Sequence, residues 1–231
     1  MQSRPISREE KEKQNLKTLY KSDLYVFAKE CLGYRDLSWD THGEMISCLE
    51  SKSESKLIVM PRGSFKSSLG VVAYPIWRLI NNPNLRVMID SEVYTNSKNF
   101  IREIKGHIQS KKFTDVFGSW IGPQWTEGEI TISARNKVLK EASITASGIG
   151  AVKVGQHYDL IIMDDLNSGN NSETPEMREK VVRHYQMNTA ILEPHGTMVV
   201  IGTRYAVDDV IGFIMQNEID HGLIAKYTDI K

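Results

Sequence analysis

The sequence predicts an α/β fold, with a mostly parallel sheet and helices on both of its faces. Three observations carry this reading. Short apolar runs alternate with helix-period segments over most of the chain, the pattern of successive strand–helix–strand units. The run Leu57-Ile58-Val59-Met60 enters a Gly-containing turn and then Lys66-Ser67-Ser68, which reads as strand, tight turn and helix start. The run Leu160-Ile161-Ile162-Met163 ends in Asp164-Asp165, as expected of a buried parallel strand that presents carboxylates at its carboxyl end. In sheets of this kind ligands sit at the carboxyl ends of the strands.

Ser7 and Glu10 form a capping box that opens a helix running to about Leu32, with Leu16, Leu19, Tyr20, Leu24 and Phe27 on one face and Gly33 as its stop. Thr41 and Glu44 form a second box, for a helix from His42 to about Glu50. A polar linker, 51–55, leads into the first core strand, 56–60. Lys66 to Leu79 is helical, with a distortion expected at Pro75. Leu85 to Asp90 is the second strand, Ser91 to Ser110 a helix striped by Phe100, Ile101, Ile104 and Ile108, and 111–128 an irregular excursion. Glu129–Ile132 and Val138–Thr145 are expected strands joined by the turn Ala134-Arg135-Asn136-Lys137. After a Gly-rich loop at 147–150 comes the acidic strand. Thr174 then caps a helix from Pro175 to about Ala190. Thr197–Ile201 is a further strand, Asp208–Asn217 a final helix, and Leu223–Thr228 a last strand. Two parts are expected: residues 1–55, a helical segment packed on the core, and residues 56–231, the core itself.

Composition narrows the partners. Lys plus Arg and Asp plus Glu each number 29 among 231 residues, so no global field attracts nucleic acid, and any such contact must use a local patch. Cys31 and Cys48 lack metal-ligand spacing and read as reduced thiols of an intracellular protein. The charged amino-terminal segment does not read as a signal peptide, so none is expected, and no apolar run is long enough to span a membrane.

The segment Pro61-Arg62-Gly63-Ser64-Phe65-Lys66-Ser67-Ser68 has the logic of a triphosphate cradle. Turn amides and a helix N-terminus favour phosphate oxygens, Lys66 is placed for the β- and γ-phosphates, and the Ser67 hydroxyl for Mg²⁺. It departs from G-x-x-x-x-G-K-[ST] at Met60, where a Gly is usual, and carries Phe65 directly before the lysine. Asp164 is the expected Mg²⁺ holder, and Asp165 the acid that polarises the attacking water. The absence of a Gly-x-Gly-x-x-Gly after the first strand argues against a dinucleotide-binding dehydrogenase.

Three segments, 61–67, 159–165 and 201–205 (Ile201-Gly202-Thr203-Arg204-Tyr205), together resemble the ATPase domain of the large terminase subunit of tailed bacteriophages. The resemblance covers roughly residues 35 to 230. It implies a P-loop NTPase of the RecA-like (ASCE) type that hydrolyses ATP with Mg²⁺ to drive double-stranded viral DNA into a procapsid. Implied partners are the procapsid portal, the terminase small subunit and further copies of the chain, ring-forming when active and monomeric in isolation, in the host cell cytoplasm and away from membranes. By the same resemblance Lys66 contacts the β/γ-phosphates, Ser67 and Asp164 hold Mg²⁺, and Ser68 supports the α/β end. Arg62 either touches the γ-phosphate or couples to the next subunit, and Thr203 belongs to the motif coupling hydrolysis to movement.

Several positions depart from the family pattern. Asp165 stands where Glu is more frequent. The nearest match to a basic finger acting in trans is Lys153, beside Val154-Gly155, with Arg135 and Arg204 as alternatives. The upstream adenine-contacting Gln is missing, and Trp39 and His42 occupy that region. A second, nuclease domain and nuclease activity are not expected. Lys105, Lys111, Lys112, Arg135, Lys137 and Lys140 are candidates for phosphate contacts with DNA. Two rival readings remain: a nucleotide-binding assembly adaptor that does not hydrolyse ATP, and a helicase-like ATPase.

Overall fold

The computed structural model describes residues 7–151, 155–219 and 225–228. The fold is mixed α/β, built on a seven-stranded sheet in the order β3-β4-β2-β5-β6-β1-β7. The strands are β1 (Ser55–Val59), β2 (Val87–Ser91), β3 (Glu129–Ile130), β4 (Ile144–Gly148), β5 (Tyr158–Asp164), β6 (Leu192–Gly202) and β7 (Ala225–Thr228). All pairings are parallel except β3 with β4 at one edge. The apolar run of β5 lies at the centre, and six of its seven residues are buried, as a strand covered on both faces requires.

The two-residue period of the strands divides the core. Ile58, Ile89, Ile144, Ile162, Val199 and Ile201 belong to one apolar cluster, whereas Leu57, Met88, Ile161, Met163, Met198 and Val200 belong to another. The first is covered by α1 (Arg8–Ser22), α2 (Leu24–Val26), α3 (Trp39–Glu50), α4 (Tyr74–Asn81), α5 (Tyr94–Gln109) and α6 (Lys111–Phe117). The second is covered by α7 (Pro175–Thr189) and α8 (Val210–Ile214).

Local chemistry explains where elements depart from the sequence expectation. The predicted helix from Ser7 to Leu32 breaks at Asp23, whose carboxylate caps α2 by accepting from Val26 N at 2.8 Å. α2 runs on into a π-helical turn over Phe27–Cys31. Leu16 and Leu19 are solvent-exposed rather than core. Helix α3 begins three residues earlier than predicted, because Ser38 rather than Thr41 is its cap. The distortion expected at Pro75 is a π-helical turn over Ser68–Ala73, immediately before α4. The excursion after residue 110 holds helix α6, capped by Ser110.

Val138 lies fully exposed in a loop rather than in a strand, and β4 starts only at Ile144. The Pro194-His195-Gly196 turn is a register break within β6, with His195 at φ 64°. The paired carboxyl half of β6 starts at Thr197, as predicted. The capping box at Ser7, the Thr174 cap and helix α7 match the sequence reading.

Two cations, Lys56 buried and Arg86 partly so, pin the sheet. Lys56 on β1 donates to Cys48 O and Ser51 O, both at 2.8 Å, closing the C-terminus of α3, and burial lowers its ammonium to about 8. Arg86, just before β2, pairs with Asp159 on β5 and Glu193 on β6, both at 2.9 Å. Burial pushes the Cys31 thiol up to about 12. Among the described residues no helix is long and apolar enough to cross a membrane.

Candidate active site at the carboxyl rim of the sheet

β5, β6 and β1 are neighbours, and their registers bring their carboxyl ends level. Asp164 pairs with Ile201, and Val59 with Gly202. The next backbone steps extend the match: Asp165 N donates to Ile201 O at 2.9 Å, and Met60 N donates to Gly202 O at 3.3 Å. The three exits at residues 60–68, 164–165 and 202–205 therefore lie side by side, as the sequence predicted.

The turn after β1 is held by Ser64 Oγ, which donates to Pro61 O at 2.7 Å, and by left-handed backbone at Gly63 (φ 78°) and Phe65 (φ 59°). A left-handed phenylalanine is strained. Its ring offsets this by edge-on packing against Tyr34 and His42, with centroids 5.9 and 5.8 Å away. The unusual Phe65 is thus an anchor that locks the turn to the helical layer. Past it, Lys66 begins the helical segment that Leu69 N closes onto Phe65 O at 2.9 Å. The turn surrounds an open cavity of about 310 Å³ lined by residues 62–68 and Asp165.

Lys66 is buried, at 5% exposure. Its ammonium donates to Thr203 Oγ1 at 3.1 Å and lies 3.3 Å from Asp165 Oδ2. Thr203 Oγ1 in turn donates to Met60 O at 3.3 Å. Ser67 Oγ donates to Asp164, 2.9 Å from Oδ1 and 3.2 Å from Oδ2. Asp164 is 5% exposed. Burial first, and the Asp165 charge second, push its carboxyl up to about 7, against the opposing pull of Ser67 and Lys66. Asp165 sits at φ 42°, and its Oδ1 is buried with no hydrogen-bond partner among the described residues.

The loop after β6 is built around Asp209. Its buried carboxylate accepts from the amides of Tyr205 (2.7 Å), Ala206 (3.1 Å) and Gly212 (2.8 Å). Arg178 on α7 braces the same loop through Asp208 at 2.8 Å. So held, Tyr205 accepts a hydrogen bond at its phenol oxygen from the Arg62 guanidinium, which bridges the first and third exits. Tyr34, Tyr205 and Asp209 escaped the sequence reading as site residues. Asp209, directly before Val210-Ile211, carried a readable helix-cap signal.

No protein-family profile matches the sequence, and no curated protein matches it. The solved structures do give a likeness. The chain shares its fold with the large terminase of bacteriophage HK97. The superposition has a TM-score of 0.62 at 10% sequence identity and covers 90% of this chain. It covers 43% of the terminase, so this chain spans less than half of that protein's length.

The remaining expected residues are placed as follows. Ser68 lines the cavity. His42 is buried against Phe65, with Nδ1 at 3.0 Å from Ser38 O, and Trp39 packs edge-on against Tyr25 while half of it is exposed. Arg135 donates to Glu141 O at 2.7 Å and Leu85 O at 2.9 Å, at the amino ends of β4 and β2 and so opposite the rim. Lys137 N accompanies it there on Asn84 Oδ1 at 3.1 Å. Lys111 pairs with Asp115 at 2.7 Å, and Lys112 donates to Glu30 O at 2.9 Å. Lys140 donates to Gly155 O at 2.7 Å. Arg204 donates to Ala206 O and Val207 O of its own loop, at 3.2 and 3.0 Å. Lys153 lies outside the described residues.

Proposed function

We propose that this chain is a P-loop ATPase of the RecA-like type that hydrolyses Mg·ATP to drive double-stranded DNA into a viral procapsid, as a terminase large-subunit motor. One observation carries the reading. Lys66, Ser67, Asp164, Asp165 and Thr203 come from three separate exits and meet through direct contacts at one rim. The fold shared with a phage large terminase supports the DNA-packaging part.

The donor set fits the proposed ligands. A serine hydroxyl beside a carboxylate is a hard oxygen pair suited to Mg²⁺, which takes few protein ligands and completes its shell from phosphates and water. Bound there, Mg²⁺ would supply positive charge to the phosphoryl oxygens. Thr203 and Asp165 place oxygens around the Lys66 ammonium where phosphate oxygens would compete for it. A triphosphate that takes over Lys66 would release Asp165 to orient water. The amides of residues 62–67 and the Lys66 ammonium would stabilise charge on the transferred group, commonly the largest catalytic contribution. Thr203, bonded to Lys66 and continuous with the Asp209-braced loop, would pass phosphate occupancy to α7 and α8. A basic group from a neighbouring subunit would complete the site in a ring, with the portal and small subunit as further partners.

Phosphate release by the wild-type chain and Lys66→Ala, with and without double-stranded DNA, tests this. Loss of Lys66 should cut turnover by about 10²–10³-fold or more. Equal rates would remove the assignment. Tight Mg·ATP binding without phosphate release from any assembly would favour the non-hydrolysing adaptor, and DNA strand separation the helicase-like reading.

A further inference from the structure

We propose that the groove between α5 and the 125–128 turn binds the phosphate backbone of double-stranded DNA. The proposal rests on the motor reading for its biological sense, but its observations lie outside the nucleotide rim. Helix α5 buries Ser97, Ile101, Ile104 and Ile108 against the sheet. That leaves Thr95, Lys98, Asn99, Arg102 and Lys105 on one flank, at helical neighbour spacing. These five, with Glu127 opposite, line a cavity of about 430 Å³. Every one of the five is a hydrogen-bond donor, and three are cations, in a chain whose overall charge is balanced.

Two of the cations are held in place. Lys105 donates to Trp125 O and Thr126 O at 3.4 and 3.3 Å, with its ammonium 5.6 Å from the Trp125 ring centroid. Lys98 lies 5.6 Å from the Tyr94 ring centroid and 3.1 Å from Glu127. Arg102 is exposed and has no hydrogen-bond or ion-pair partner among the described residues. It is the vacant charge of the groove. From Lys98 to Arg102 to Lys105 the helix rises by about 10 Å. One strand of B-DNA places a phosphate every ~3.4 Å of axis, so three cations face roughly three phosphates. Trp125 and Thr126 anchor Lys105 through backbone carbonyls, which leaves its charge unneutralised. Glu127, whose side chain is 85% exposed, is the single carboxylate among the described residues that line the groove, and it competes with DNA for Lys98.

This assigns opposite signs to neighbouring substitutions. Arg102→Ala should weaken binding of a random-sequence duplex and reduce the slope of log affinity against log salt by about one, as for any lost phosphate contact. Arg102→Glu should weaken it further. Glu127→Gln should tighten it. Arg183→Ala, on α7 over the other face of the sheet, should leave it unchanged. Fluorescence anisotropy of a labelled duplex across a salt series, with Mg·ATP binding measured on the same samples, reads all four. An exposed, unpartnered arginine can be replaced without loss of fold, so a null result is interpretable. Wild-type affinity in Arg102→Glu, weaker binding in Glu127→Gln, or no duplex binding by the wild-type chain at low salt would each overturn the groove. Intact Mg·ATP binding alongside any of these would leave the motor reading standing. Failure of Mg·ATP binding with intact, Arg102-dependent duplex binding would do the reverse.

Discussion

The Ser67 hydroxyl faces both oxygens of the Asp164 carboxylate, at 2.9 and 3.2 Å. The two residues are 97 positions apart in the chain, and the side-by-side exit of β1 and β5 around β6 brings them together. Ser67→Ala leaves a buried carboxylate without this hydroxyl and removes the proposed second Mg²⁺ ligand. We expect Mg·ATP affinity to fall tenfold or more. Affinity for metal-free ATP should stay near wild type, since Lys66 and the turn amides are untouched. Calorimetric titrations with Mg²⁺ and with chelator read the difference. Equal losses under both conditions would mean that Ser67 supports the turn rather than the metal.

Asp164 gives the site a pH dependence with a definite sign. Its carboxyl stands at about 7 in the folded chain, against an ordinary value of 3.8. Between those values the folded state binds a proton that the unfolded state has released. This site's contribution to stability therefore declines as pH rises from about 4 to 7 in the metal-free protein. Asp164→Asn should abolish that decline and raise the Tm of the metal-free chain at pH 7 and above. Mg²⁺ must displace the proton, so Mg²⁺-dependent stabilisation should grow as pH rises through about 7 in the wild type and vanish in the variant. Thermal melts at several pH values, with and without Mg²⁺, decide it. A flat Mg²⁺ effect across this range would exclude Asp164 as the holder.

A buried pair on the other flank sets a stability prediction. His184 on α7 lies with Nε2 at 2.6 Å from Asp90 Oδ2, and Asn188 Nδ2 donates to the same oxygen at 2.9 Å. Asp90 is fully buried, and its other oxygen has no partner among the described residues. Removing one partner of a buried hydrogen bond typically costs about 1–3 kcal/mol, because the other is left unsatisfied. His184→Ala should therefore destabilise the chain by about that amount in urea. Adding Asp90→Asn to it should restore part of the loss by replacing the stranded carboxyl group with an amide. A double variant weaker than the single would show that the carboxylate is held by its surroundings rather than by His184.

Much of this architecture was legible because it rests on local chemistry. The uninterrupted apolar run of β5, the acids at its end and the Lys-Ser step after β1 each announce a parallel strand or a helix start from a few residues. What stayed hidden depends on long-range partners. Val138-Leu139 reads as strand, yet the pairing with β2 falls on Ile144–Gly148. There Gly148 admits the backbone of Tyr94 so closely that a Cβ would meet its nitrogen at 2.6 Å. Arg135 reads as a surface cation, but Leu85 O and Glu141 O, reached only in the fold, occupy its guanidinium. Helix α6 was readable in Phe113, Val116 and Phe117 at helical spacing, and its short length concealed it. Phe65 looked foreign to a phosphate loop because Tyr34 and His42, far away in sequence, are what it packs on.

The last prediction concerns Arg62 and Tyr205, which no local pattern joins. The guanidinium donates to the phenol oxygen across 143 positions. Tyr205 is not free to follow Arg62, because Asp209 holds its amide at 2.7 Å and Arg178 braces the adjoining Asp208. An Arg62 that turns toward a γ-phosphate must therefore break this contact, whereas an Arg62 that stays leaves the rim linked to the loop after β6. Either way the two side chains act as one unit, and their substitutions should not add. In a double-mutant cycle on ATP turnover, Arg62→Ala and Tyr205→Phe should show a coupling of about 0.5–3 kcal/mol. Tyr205→Phe keeps the ring and removes only the acceptor, so folding is preserved, and Lys66-dependent Mg·ATP binding serves as the internal control. The sign separates the two roles. If the phenol restrains Arg62 from the nucleotide, Tyr205→Phe alone lowers KM. If the pair transmits occupancy to the loop, the same substitution lowers kcat and leaves KM near wild type. Strict additivity would mean that the bond is incidental and that the first and third exits communicate only through Lys66 and Thr203.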